Sequence, residues 1–238
     1  MNTITKDEYD RLLEIIQKKE LGKHILKTGE VKMYFKEWMR GAVELGLETG
    51  RRNEEIARMK FSDIFENEGK MEYMRILDLK VNRQKGREGS NAKEIIIPVT
   101  ENLKQVLLHL GYEKYKGTDT YIIGPKERMT RESITRFFSQ SFSHYFDLLG
   151  TGKSLTYKSL RKTHISQLSA FMGIDNARLI TKHSGSAVME QHYIDKKVIA
   201  MTAKNFKMFE ENDKTANARQ KELEEVRAKI KETKTIER

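Results

Sequence analysis

Apolar residues recur at helical spacing through the first sixty positions. Thr5 and Glu8 make a capping box, after which Tyr9, Leu12, Leu13 and Ile16 share one face. A glycine-bounded connector spans residues 22–29. Val31, Tyr34, Phe35, Trp38, Met39, Ala42 and Val43 then predict a well-buried helix, with Gly46 and Gly50 bracketing its exit. In the run TGRRNEEIARMKFSDI, Ile56 and Met59 keep the helical period. Arg52 and Glu55, three residues apart, share a different face.

Over residues 71–98 the period drops to two. Leu77, Leu79 and Val81 alternate with Asp78 and Lys80, and residues 95–99 form a short apolar run containing Pro98. The intervening NRQKGREGSNAK, with two glycines and a serine, predicts a hairpin tip longer than a tight turn. Residues 121–123 offer a third strand. Thr100 is placed to cap a helix carrying Leu103, Val106, Leu107 and Leu110. After Pro125, the residues Ile134, Phe137, Phe138, Phe142, Tyr145, Phe146 and Leu149 make an aromatic helical face. Helical spacing marks that face as core rather than a base-stacking platform. Gly150 and Gly152 end it, two or three shorter helices follow, and Val198, Ile199, Met201, Phe206, Met208 and Phe209 form a last amphipathic piece. The predicted fold class is mixed, mainly α with a small antiparallel β-sheet.

Charge sharpens this picture. Of 238 residues, 45 are Lys or Arg and 35 are Asp or Glu, a formal net charge of +10. Residues 210–238 hold eight acids and eight bases, so that excess belongs wholly to residues 1–209. The final 29 positions therefore read as a solvated helical or disordered tail, and the basic body favours a polyanionic partner, nucleic acid ahead of a membrane surface. Cysteine is absent, which excludes disulfides and thiol chemistry. The N-terminal MNTITKDEYD lacks the apolar core of a secretory signal, and no apolar run approaches the ~18 residues of a membrane span. A cytoplasmic protein is expected.

Candidate chemistry concentrates in residues 155–193. Lys158, Arg161 and Lys162 open one helix, His183 and Ser184 follow another, and Tyr193 stands ten positions beyond His183. Cations that hold a phosphate, an imidazole and a phenol that attacks phosphorus suit phosphoryl transfer through a covalent tyrosine intermediate.

With these residues in order, the chain resembles the catalytic domain of the tyrosine recombinase (phage integrase) family. TGRRNEEIARMKFSDI resembles that family's first arginine box, with its arginine at Arg52 and its acid at Glu55. KSLRKTHI resembles the second, with Arg161, and KHSGSAVMEQHY the third, with His183 and the nucleophile Tyr193. The resemblance runs over residues 3–209. It departs from the family in Lys158, which stands where a histidine is usual three residues before the second arginine. The spacing from His183 to Tyr193 is also one residue longer than in the commonest members, a difference Gly185 can absorb.

The resemblance implies the tyrosine recombinase catalytic-domain fold over residues 1–209, with no separate N-terminal core-binding domain preceding it. It implies site-specific breakage and rejoining of double-stranded DNA through a 3′-phosphotyrosine, without metal, ATP or another cofactor. Arg52 and Arg161 would clamp the non-bridging oxygens, Glu55 would orient Arg52, and Lys158 and His183 would assist. A lysine from the hairpin would protonate the leaving 5′-oxygen, with Lys85 preferred and Lys93 as the rival. Arg52, Lys85, Lys158, Arg161 and Lys162 would together contact DNA. The implied partners are DNA and further copies of the chain assembled on it, and the scheme admits accessory DNA-bending proteins. Two alternatives stay open: a type IB topoisomerase-like enzyme that relaxes supercoils, and an inactive DNA-binding relative.

Overall fold

The structure, a computed structural model, describes residues 3–87 and 91–181, all within one compact unit, residues 1–198. His183, Tyr193, the amphipathic piece at 198–209 and the tail at 210–238 lie outside the described residues. Helix α1 (Lys6–Ile15) starts as its sequence demands. Thr5 Oγ1 accepts from Glu8 N at 3.3 Å while Glu8 Oε2 accepts from Thr5 N at 2.8 Å, so two orphan donors of the first turn are satisfied reciprocally.

Long helix α7 (Arg131–Leu148) is the spine of the core. Thr130 caps it, and it buries Ile134, Phe138, Phe142, Tyr145 and Phe146 completely. Helices α1, α2 (Met39–Thr49) and α3 (Asn53–Ile56) pack around it. The rings interlock: Phe138 lies 5.1 Å from Tyr157 and 5.8 Å from Trp38 between centroids. The aromatic face read from the sequence is core.

One antiparallel sheet, in the order β3 (Ile64–Asn67), β4 (Lys70–Leu77), β5 (Glu94–Pro98), flanks the helices. Met74 pairs with Ile97 and Ile76 with Ile95, and all four point into the core. The intervening Arg75 and Ile96 face outward, the alternation expected of a half-buried sheet.

Three local expectations are corrected. The helix predicted from Val31 starts only at Met39. Before it, β1 (Lys23–Ile25) and β2 (Val31–Met33) form a hairpin turned at Gly29, whose φ of 81° suits glycine. Residues 34–38 leave helical phase because other partners hold them: Tyr34 stacks on His144 at 4.7 Å, and Trp38 Nε1 donates to Glu127 at 3.1 Å. Leu79 and Val81 are not strand residues. Asp78 ends β4 and caps helix α4 (Leu79–Lys85) by accepting from Val81 N at 3.2 Å. The third strand is β3 rather than residues 121–123, where Tyr121 makes only an isolated bridge to Lys60. The short reversal at Glu68 and Gly69, both at positive φ, delivers β3 directly to β4 and leaves no vacancy there.

Replacing Phe138 with alanine removes a fully buried ring from this cluster and should cost about 3–5 kcal/mol, read as a lower urea midpoint at unchanged slope. Phe171→Ser, at a position 85% exposed, should stay within about 0.5 kcal/mol of the parent.

Candidate active site

Helix α8 (Lys158–Met172) lies along α2, and two glycines of α2 let it approach. A Cβ on Gly46 would stand 2.7 Å from the Tyr157 hydroxyl and 3.0 Å from Leu160. The Tyr157 hydroxyl instead donates to the Ala42 carbonyl, pinning the start of α8 to the middle of α2. At its end, α2 closes on Gly50 in the left-handed region (φ 58°), where a Cβ would lie 2.3 Å from the His164 ring.

The last turn of a helix leaves carbonyls without intrahelical partners. Here α8 supplies them. Arg161 Nη1 donates to Gly50 O at 2.5 Å, and His164 Nδ1 donates to Leu47 O at 2.8 Å. The Thr-Gly lead-in thus has a physical role: its glycine both admits α8 and presents the carbonyl that holds Arg161.

Two residues past Gly50, Arg52 is the N-cap of α3. Its Nη1 donates to Glu55 Oε1 at 2.7 Å and lies 3.6 Å from Asp78 Oδ1. The Glu55 side chain is fully buried and that of Asp78 is 4% exposed, whereas that of Arg52 keeps 28% of its surface in solvent. Two enclosed carboxylates therefore fix the orientation of a guanidinium that stays partly exposed.

Arg52 and Arg161 converge. With Lys158, Lys162, Lys80 and Arg51 they line a single cleft of ≈ 660 Å³. Glu54 is the one carboxylate among the described residues lining it, and Arg83 of α4 engages that group at 3.0 Å. The first turn of α8, from Lys158, also opens into the cleft and adds the positive end of its dipole. Among the described residues, six cations and one paired acid give the cleft a strongly positive lining, which attracts anions.

Of the residues expected from sequence, Arg52, Lys158, Arg161 and Lys162 meet here, with Glu55 behind Arg52. Lys85 and Lys93 do not line the cleft. Because residues 79–85 are helical, Lys85 lies roughly 140° around α4 from Lys80, on the exposed last turn. Lys93 is tied through its backbone to Asn82, by bonds of 2.6 and 3.0 Å. Lys80, Asp78 and Arg51 are additions that pattern reading missed. The signal for the first two was present: an aspartate three residues before Val81 is a capping signature that argues for a helix.

Tyr157 also lines the cleft, but its hydroxyl is buried on Ala42 O and burial raises its pKa well above the usual phenol value, so it is no nucleophile. His164 is held neutral as the Nδ1–H tautomer. Burial lowers its pKa to about 4 and the charges of Arg51 and Arg161 add to that, against the hydrogen bond to Leu47. Among the described residues no group of His, Asp or Glu is placed to hold a metal ion, and no helix is long and apolar enough to cross a membrane.

Comparison with known proteins places this geometry. The model of the phage integrase family matches residues 2–198. Comparison with curated proteins gives no match. Among solved structures, lambda integrase(75–356), a dimer bound to a COC′ core site, aligns with a TM-score of 0.55 at 19% identity, over 82% of this chain and 60% of that one. XerA recombinase aligns at 0.54 and 18% identity over 88% and 67%, and XerH bound to a difH substrate at 0.51 and 13% over 84% and 52%. The likeness to these structures is one of fold: mainly helical with small antiparallel sheets. The chain spans 60% of the lambda integrase fragment it matches.

The depressed pKa of His164 fixes a pH dependence. Above about 6.5 the imidazole is neutral in both states; as pH falls from there toward 4, the unfolded chain takes up a proton that the folded one refuses. Stability is therefore lost on acidification, by roughly 2 kcal/mol between about pH 7 and about pH 5 from this group. Urea midpoints at the two pH values should show the loss, and His164→Asn should remove that share of it.

Proposed function

The chain belongs to the phage integrase family, and on that premise we propose that it breaks and rejoins DNA at specific sites through a covalent 3′-phosphotyrosine formed by Tyr193. The observation that supports this reading is the meeting of Arg52 and Arg161, 109 positions apart in sequence, in one basic cleft with Lys158 and Lys80. Their guanidiniums clamp the two non-bridging oxygens of the scissile diester, where charge accumulates as phosphorus becomes five-coordinate. The phenolate oxygen of Tyr193 bonds to phosphorus as the bond to the 5′-oxygen breaks. Ester energy is retained in the phosphotyrosine, and attack by a 5′-hydroxyl reverses the step on a new strand.

The leaving 5′-oxygen takes a proton, and Lys80 is the donor we assign. It is the second residue of α4, just past Asp78, stands in the cleft with both arginines, and displaces Lys85 from that role by position. Lys158 opens α8 at the rim and adds a cation to the phosphate; as a lysine it is a donor rather than a base near neutral pH. Glu55 and Asp78 keep the fork of Arg52 oriented. His183 hydrogen-bonds the phosphate or relays the phenol's proton. Several copies of the chain act together, since strand exchange joins two duplexes.

A pool of nicked duplexes with a randomised core tests this without knowledge of the target. The wild type should yield a denaturation-resistant protein–DNA adduct and Tyr193→Phe none. Arg52→Ala and Arg161→Ala should each slow adduct formation about 10²-fold or more. An adduct that persists in Tyr193→Phe, or relaxation of plasmid DNA without a preferred site, contradicts the assignment.

The leaving-group acid has its own test. A substrate carrying sulfur at the bridging 5′ position departs as a thiolate and needs no proton. Lys80→Ala should be slowed about 10²-fold or more on normal DNA and restored on the sulfur substrate, while Lys85→Ala should stay within about twofold on both. Equal defects on the two substrates would remove Lys80 from this role.

A further inference from the structure

Arg51 belongs to none of the expected roles, yet it is the most enclosed cation of the cleft. It follows Gly50 directly and is 3% exposed. Its Nε donates to Thr49 O at 3.2 Å, and its Nη1 is shut away from solvent with no hydrogen-bond partner among the described residues. Guanidiniums in protein interiors are normally saturated, because an unpaired buried N–H loses its hydration for nothing in return. The charges around it do not repair the deficit. Glu55 and Asp78 are the carboxylates that act on Arg51, and both are already engaged by Arg52. Arg51 thus shares both carboxylates with Arg52, and its Nη1 stays without an acceptor among the described residues in the wall of the cleft.

We propose that Arg51 is a third guanidinium of the phosphate-binding site, whose Nη1 is completed by a non-bridging oxygen of the bound diester. A phosphate oxygen supplies the acceptor that Nη1 lacks among the described residues, and its charge offsets that of the buried guanidinium. Burial, and then the neighbouring Arg161, lower the pKa of Arg51 to about 10, the behaviour of a cation held ready for an anion rather than neutralised by the protein. Folding bears the cost of that readiness: an unpaired buried charge destabilises the free protein, and a ligand recovers the loss. The inference rests on the recombinase reading only for the identity of the anion as a DNA backbone; the site itself is an oxyanion site.

Inorganic phosphate is therefore the probe, applied to the full chain at millimolar concentration with ionic strength held constant by NaCl. The wild-type melting temperature should rise with phosphate and return a dissociation constant. In Arg51→Met, which fills the space without the charge, that constant should rise at least about tenfold, while the phosphate-free melting temperature should equal or exceed the wild type. Arg51→Lys, which keeps the charge but loses the fork, gives a second folded variant and should weaken phosphate severalfold. Phosphate affinity unchanged in both variants, or absent from the wild type, overturns the proposal. A wild type that binds phosphate through Arg51 yet forms no tyrosyl adduct would instead retain this site and reject the recombinase reading.

Discussion

The bond from Arg161 to the carbonyl of Gly50 is the contact on which the site depends. It joins the end of α2 to α8 and so brings together two stretches of chain that carry cations of the cleft. The bond requires glycine at that point, because the left-handed turn and the His164 ring together leave no room for a Cβ. It also requires α8 to lie close along α2, which Gly46 permits and the Tyr157 hydroxyl secures at Ala42. Packing between two helices is thereby converted into a fixed distance between two guanidiniums.

Around that contact the protein gathers like charges, which is unfavourable in the absence of ligand. Arg52 is held by buried Glu55 and Asp78, Arg161 donates to a backbone carbonyl, and Arg51 keeps its Nη1 without an acceptor among the described residues. Under the proposed function a phosphodiester would relieve this repulsion, and an oxyanion gathering charge at phosphorus would relieve it further. Electrostatic preorganisation of this kind is built during folding, so the proposed reaction would need no reorientation of dipoles. The aromatic core along α7 supplies the apolar burial that offsets the cost, with five of its side chains fully enclosed.

The segment between β4 and β5 shows where periodicity misleads. Leu77, Leu79 and Val81 alternate as a strand should, yet the strand stops at Leu77. Asp78 uses its carboxylate twice, accepting from Val81 N to start α4 and approaching Arg52. A seven-residue helix has little intrinsic stability. Its place is secured by Arg83 on Glu54 and by Asn82 on the backbone of Lys93. Those contacts turn Lys80 inward and Lys85 outward, a choice that no alternation of apolar residues encodes. The hairpin of β1 and β2 is a parallel case, since residues 34–38 are taken from the helix by His144 and Glu127, more than 85 positions away.

Local sequence encodes the mainly helical class, the capping box of α1, the aromatic core face and the order of the arginine boxes. These are local properties: a 3.6-residue period and a cap with its partner three residues on lie within a few turns of chain. It also named Arg52, Glu55, Lys158 and Arg161 as members of one set. What only the tertiary structure decided is which further groups join them. Lys80, Asp78 and Arg51 enter the site through contacts between α2, α3, α4 and α8, elements that lie up to 120 positions apart. Such placements depend on where a helix meets its neighbour and how it is rotated, quantities set by packing over long range and invisible to spacing along the chain.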